Sequence, residues 1–190
     1  GCDLVLDIMK DPDYCSFMQS LIFEEVIPTI DLPRDELTGF AHSVSDRFKN
    51  PFIKHKLLDI SLNSCSKIEA RCLPSLLDSH DRTGLIPKRL AFAFAAFIAF
   101  YRAERSANGS YEGVRENGDR YALQDSAENL AFFHRVWQNA NPGDVVKAVL
   151  SRSQLWHGRD LTRIDGFLEI VTKYLEGILN DGVRETIRNL

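Results

Sequence analysis

The run LAFAFAAFIAFY, from Leu90 to Tyr101, constrains this chain more than any other stretch. It is 12 residues long and lies between Lys88-Arg89 and Arg102. A bilayer crossing needs about 20 apolar residues, so protein has to bury this run. A helix with no polar side belongs at the centre of a helical domain, and its alternating Ala and Phe let neighbours pack against it at unequal heights. The remaining sequence must supply the helices that surround it.

Helix punctuation is dense. Asp11-Pro12 reads as an N-cap followed by proline at the first helical position, leading into DYCSFMQSLIFEEV before Pro28 interrupts. Pro33 opens a second helix in which Leu37, Phe40, Ala41, Val44 and Phe48 have the three-and-four spacing of one buried face. Asn50-Pro51 repeats the cap-plus-proline signal, which predicts a sharp corner and a further helix from Pro51. Ser106 to Asp119, SANGSYEGVRENGD, reads as a long polar connection. Asp125 with Glu128 reads as a capping box for NLAFFHRVWQ. Helices are expected from Asp144 to about Ser151 and from Ile164 to about Asn180, the latter closed by Gly182 with a last turn or two to Leu190. Neither an internal repeat nor an alternating run strong enough for a sheet is present, so the expectation is an all-α domain spanning 1–190.

At 190 residues one core is the default, burying roughly 70% of the unfolded chain's surface. The formal charge of −4 argues against a nucleic-acid partner, for which a basic domain would be expected, and no stretch reads as a membrane span. Cys2, Cys15, Cys65 and Cys72 form no CxxC pair and have no matching His spacing, so a zinc site and a disulfide framework are both disfavoured. Reduced thiols in a cytoplasmic protein are the expectation.

Against this acidic background, Arg47 to Arg71 carries six cations (Arg47, Lys49, Lys54, Lys56, Lys67 and Arg71) and only Asp59 and Glu69 as acids. A helix starting at Pro51 would aim its free N–H groups and positive dipole end at the Asn50 corner. Arg47, Lys54 and His55 would stand around that end, a receptor for a small carboxylate or phosphate. On such a helix Leu58 and Leu62 fall on the same side as Lys54 and His55, opposite Phe52, Ile53, Leu57 and Ile60. Both sides then look covered, and covered cations need a partner that the nearby acids cannot supply.

The chain contains no GxGxxG, GxxxxGK[ST], HExxH or GxSxG, so no phosphate cradle or familiar hydrolytic motif is present. Four blocks nevertheless resemble a known family: FEEVIPTIDLPRDEL (Phe23 to Leu37), RFKNPFIKHKLLDISLNSCSKIEARCLPSLL (Arg47 to Leu77), PKRLAFAFAAFIAFYR (Pro87 to Arg102) and DLTRIDGFLEIVTKYLEGILNDG (Asp160 to Gly182). They look like the C-terminal helical domain of the long-chain mannitol dehydrogenase family, a fold similar to the C-terminal domain of 6-phosphogluconate dehydrogenase. The RFxNPxIxH corner followed by NSxSK points to its uronate branch.

The resemblance implies an NAD-dependent oxidoreductase that interconverts the keto-uronate D-tagaturonate and D-altronate in hexuronate catabolism. It implies an N-terminal Rossmann domain that binds NAD and partners this domain across the active-site cleft. The family's catalytic Lys-x4-Asn-x2-His motif does not occur here and is expected upstream of Gly1, so 1–190 is read as a C-terminal fragment, inactive alone. The residues that match the family's substrate-contacting region are Arg47, Asn50, Lys54 and His55, with Lys67 a weaker match, and no metal ligand is implied. Three rivals stand beside this expectation: reduction of the isomeric keto-uronate D-fructuronate, a mannitol 2-dehydrogenase, and a non-catalytic helical module that docks an acidic partner.

Overall fold

A computed structural model describes residues 3–115, 117–138 and 141–190. Helix α1 (Val5–Lys10) follows an extended entry, with the Asp7 carboxylate accepting the Leu4 N–H at 3.0 Å. Helix α2 (Pro12–Ser20) starts where expected, the Asp11 carboxylate accepting the N–H groups of Asp13 and Tyr14 at 3.1 and 3.3 Å. It widens into a π-helical turn (Leu21–Val26) and ends in a 3-10 turn (Ile27–Thr29) at Pro28, which has no N–H to continue the ladder. Helix α3 (Arg34–Phe48) follows Pro33. It departs from expectation in one respect: none of its 15 residues is buried, and Phe40 is 70% exposed.

The helix expected from Pro51 does not form. Asn50, Pro51 and Phe52 make a turn in which the Asn50 side chain accepts the Phe52 N–H at 3.0 Å, and Ile53 to His55 run extended. Only the four-residue α4 (Leu57–Ile60) is helical before α5 (Ser64–Arg71) and α6 (Leu73–Thr83). The competing structure is a main-chain pairing. Val5 N–H donates to the His55 carbonyl at 3.0 Å, Leu57 N–H donates to the Asp3 carbonyl at 2.9 Å, and Leu4 faces Lys56 in an antiparallel bridge.

The apolar run becomes α7 (Lys88–Phe100), with Ala91, Phe94, Ala95 and Ile98 wholly shielded from solvent. Its N-terminus is capped from a distance, the Glu25 carboxylate accepting the N–H groups of Arg89 and Leu90 at 3.0 and 2.8 Å. Rings surround it edge to face: Phe94 lies 5.3 Å from Phe167 and Phe97 lies 5.6 Å from Phe133. Burying each such ring contributes about 2 kcal/mol, which makes α7 the centre of the core.

The polar segment after α7 is not a loop. It folds as an antiparallel meander, β1 (Ala103–Arg105), β2 (Tyr111–Val114) and β3 (Arg120–Ala122), in the order β1-β2-β3. Gly113 pairs with Tyr121 across the strands, and a Cβ on Gly113 would lie 2.2 Å from Tyr121 Cζ. The ring occupies that space, stacks on Phe100 at 5.3 Å, and its hydroxyl donates to the Phe100 carbonyl at 2.9 Å.

Helices α8 (Ala127–Trp137), α9 (Pro142–Leu150) and α10 (Phe167–Arg188) complete the chain. The α8 cap is Ser126, which accepts the Asn129 N–H at 3.2 Å, and not Asp125. Gly182 (φ 85°, ψ 165°) breaks α10 where the sequence places a stop. The last turns fold back until Thr186 Oγ1 stands 3.0 Å from where a Gly177 Cβ would be. Arg184 then grips the opposite end of the fold, with Nη2 2.6 Å from Asp11 Oδ2 and Nη1 2.6 Å from Asp13 Oδ2.

Candidate functional site

Among the described residues, six of the eight large apolar side chains that are exposed fall between residues 30 and 62: Ile30, Leu32, Phe40, Phe52, Ile60 and Leu62. Phe52 is 91% exposed. Interleaved with them are the exposed cations Arg47, Lys49, Lys54 and Lys56, and the exposed His55. This is the basic segment of the sequence, displayed on an open face rather than on the covered helix that was expected. An exposed apolar surface of this extent marks a place where another molecule or domain sits.

The structure brings part of the expected set together. Phe48, at the end of α3, has the Arg47 guanidinium carbon 5.7 Å from its ring centre and the His55 ring at 6.5 Å, roughly perpendicular to it. Asn50 lies between them in sequence, and its N–H donates to the Arg47 carbonyl at 3.3 Å. Lys54 is adjacent to His55 on the extended segment. Lys67 is set apart: from α5 its Nζ donates to the Ile60 carbonyl at 2.8 Å, capping the end of α4. Among the described residues no acid pairs with Arg47, Lys49, Lys54 or Lys56. Glu69, one of the two acids in the segment, is taken by His157 from the loop after α9.

Two clefts lie elsewhere and contain none of these residues. One of about 420 Å3 sits between the meander and the end of α8, where Arg102 lies 5.6 Å over the Trp137 ring. The other is a shallow groove of about 450 Å3 along α10. Neither resembles a covered receptor for a polar substrate.

The titratable groups inside the fold are structural. The Asp125 carboxylate accepts the Tyr101 hydroxyl, the Cys65 N–H at 3.2 Å, the Asn129 amide at 2.9 Å and the Ser126 N–H at 2.7 Å. Burial opposes its charge, but those donors outweigh burial and hold its pKa below the usual carboxylate value. Burial pushes the Cys65 thiol up to about 12, so it is no nucleophile. Cys15, Cys65 and Cys72 are free thiols, and Cys2 lies outside the described residues. Among the described residues no three His, Cys, Asp or Glu side chains gather as a metal site, and no helix is long and apolar enough to cross a membrane.

The sequence signalled the cations but not their setting. Asp3, Leu4 and Val5, which bridge to the segment at His55–Leu57, carry no mark in the sequence, because an isolated bridge between residues some fifty positions apart has no local signature.

Comparison with known proteins places the chain. It is 43% identical to the altronate oxidoreductase of Klebsiella pneumoniae (strain 342) and 43% identical to that of Escherichia coli O7:K1 (strain IAI39 / ExPEC), in each case over the whole chain and 38% of the relative. The chain thus spans well under half the length of these curated relatives. Its fold matches Pseudomonas fluorescens mannitol 2-dehydrogenase, solved as a ternary complex with NAD and D-mannitol, with a TM-score of 0.83 at 20% identity, over 98% of this chain and 35% of that one. A substrate-free D-sorbitol dehydrogenase matches with a TM-score of 0.79 at 19% identity, over the same shares. The family model described as the mannitol dehydrogenase C-terminal domain matches residues 1–179, and the chain therefore belongs to the mannitol dehydrogenase family as that domain.

Proposed function

We propose that this domain is the substrate-binding half of an NAD-dependent oxidoreductase that reduces D-tagaturonate to D-altronate in cytoplasmic hexuronate catabolism. The observation that carries the reading is the strip of unpaired cations at Arg47, Lys54 and Lys56, set among uncovered apolar side chains. A keto-uronate has a permanent carboxylate that must be held while its ketone reacts, and a guanidinium with neighbouring ammonium groups suits that task. The relatives named altronate oxidoreductase agree with a sugar-acid substrate.

In this reading Arg47 and Lys54 hold the carboxylate or adjacent hydroxyls, while Asn50 and His55 give hydrogen bonds. Lys67 acts at one remove, by fixing the end of α4 through the Ile60 carbonyl. The domain 1–190 has no glycine-rich cradle for a dinucleotide, so NAD is held mainly by a preceding Rossmann domain, which also covers Phe40 and Phe52. Bound there, the reduced nicotinamide supplies hydride to the ketone carbon. The proton for the new hydroxyl comes from the family's lysine motif, expected in that same preceding part.

A second reading has an observation of its own. Exposed Phe40 and Phe52 would equally serve a non-catalytic module that docks an acidic partner. One assay separates these readings, NADH oxidation by the full-length polypeptide with D-tagaturonate, D-fructuronate and D-fructose side by side. Turnover with tagaturonate, and a rise in KM of about tenfold or more in Arg47→Ala, is the expected result. Preference for fructuronate or fructose would move the domain to a sister activity of the same family. Absence of turnover with all three would favour the docking module.

A further inference from the structure

The geometry points to Arg115, on the meander, as a positioning residue for the Lys54–His55 segment. This rests on the substrate-binding reading of that segment given above.

Ile53 to Lys56 belong to no helix, and two main-chain bonds, one at His55 and one at the adjoining Leu57, tie this stretch to Asp3–Val5. These are Val5 N–H to the His55 carbonyl at 3.0 Å and Leu57 N–H to the Asp3 carbonyl at 2.9 Å. Where Lys54 and His55 stand is therefore set by where Asp3 to Val5 stand. Asp3 is itself exposed, and among the described residues its carboxylate pairs with one cation, Arg115, with Nη1 2.6 Å from Oδ1.

Arg115 is well placed to act as a fixed post. It sits in the turn between β2 and β3, its N–H donating to the Asp119 carbonyl and its own carbonyl accepting the Gly118 N–H, both at 2.9 Å. The two strands are pinned to the core helix by Tyr121, stacked on Phe100 and bonded to its carbonyl. A continuous line of contacts runs from α7 through Tyr121, the strand pair and Arg115 to Asp3, and across the bridge to His55. An ion pair this exposed adds little to overall stability, so its consequence is the alignment of the segment.

The test uses the full-length polypeptide. Amide hydrogen exchange is followed at Val5 and Leu57 in the wild type, Arg115→Ala, Asp3→Asn and the double variant, together with kcat and KM for D-tagaturonate. In Arg115→Ala the two amides should exchange about tenfold faster, KM should rise about threefold with kcat held within about twofold, and the melting temperature should stay within about 2 °C. Arg115→Lys should restore most of the affinity, and adding Asp3→Asn to Arg115→Ala should cause little further loss. Unchanged exchange at Val5 and Leu57 would overturn the inference, as would faster exchange with unchanged KM; both leave the substrate assignment standing. Wild-type protein that turns over no keto-uronate would instead remove the substrate reading and the inference with it.

Discussion

Asp125 shows how much one side chain carries. Four donors from three separate parts of the chain converge on it: the start of α5, the end of α7 and the first turn of α8. Removing it strands the Tyr101 hydroxyl and the Cys65 N–H in a half-buried site, and a stranded polar group costs about 1–3 kcal/mol. Asp125→Ala is expected to lose about 2 kcal/mol, a fall in Tm of roughly 6 °C for a domain of this size. Because the native pKa of Asp125 lies below that of the unfolded chain, its contribution is complete above the unfolded value of about 3.9 and fades as pH falls through the native one. The gap between wild-type and variant urea midpoints should therefore narrow as pH is lowered below about 4. A gap that stays constant with pH would show that the carboxylate's charge is not what matters.

The same residue shows the limits of local reading. Asp125 followed by Glu128 has the spacing of a capping box, yet Ser126 caps α8 because Asp125 is drawn to Tyr101 and Cys65. The paired signals Asp11-Pro12 and Asn50-Pro51 make the point twice over. In both, a side-chain oxygen, the Asp11 carboxylate or the Asn50 amide, accepts an N–H two residues on, from Asp13 and from Phe52. After Asp11 a helix follows, as the pattern says. After Asn50 the chain goes extended to pair with Asp3 to Val5, a partner that no window around residue 50 contains. Arg47, Asn50, Lys54 and His55 were legible as a cluster of charge and hydrogen-bonding groups; their open, extended display was not.

At the level of elements, the meander was the least legible and α7 the most. The 12-residue apolar run from Leu90 to Tyr101 leaves α7 one place to go. Strands of three or four residues are too short for alternation to stand out, and the contact that defines the meander is an absence of side chain at Gly113 beneath Tyr121. Since Phe100 stops the ring from moving away, Gly113→Ala should cost about 2 kcal/mol by overpacking. In a Tyr121→Ala background the same substitution should cost almost nothing, and thermal melts of the four proteins would read the coupling. Equal costs in both backgrounds would mean that the ring does not hold the strands. Helix α3 is the opposite case, with a stripe of the right period for burial but no buried residue: among the described residues it packs mainly against α1 and the turn at Ile27–Thr29, with single ring contacts from Phe23 and His55.

Among the described residues most of the exposed large apolar side chains lie along residues 30 to 62, with Leu85 and Val114 outside that stretch. The domain made alone should therefore bind a hydrophobic dye and self-associate. Phe40→Ser with Phe52→Ser should suppress both with Tm changed by no more than about 2 °C, since neither ring is part of the core. On the substrate-binding reading proposed above, the same pair of changes in the full-length polypeptide should weaken NADH-dependent turnover, because these rings would then face the proposed nucleotide domain. Light scattering and dye fluorescence on the isolated domain, set beside activity of the whole, check the two halves of this expectation; self-association that persists in the double variant would place the sticky surface elsewhere.

The grip of Arg184 on Asp11 and Asp13 also sets an order of events during synthesis. Asp13 and Arg184 are separated by 171 residues. A ribosome adding about 5–20 residues per second needs on the order of ten to thirty seconds to deliver the arginine after the aspartates. Throughout that interval the two carboxylates stand without their main counter-charge, and Gly177 without Thr186 folded against it. The core around α7 needs Phe167 and the start of α10, and the clasp at the start of α2 forms later still, so a chain stopped just before Arg184 would have its core formed but Asp11 and Asp13 without this counter-charge.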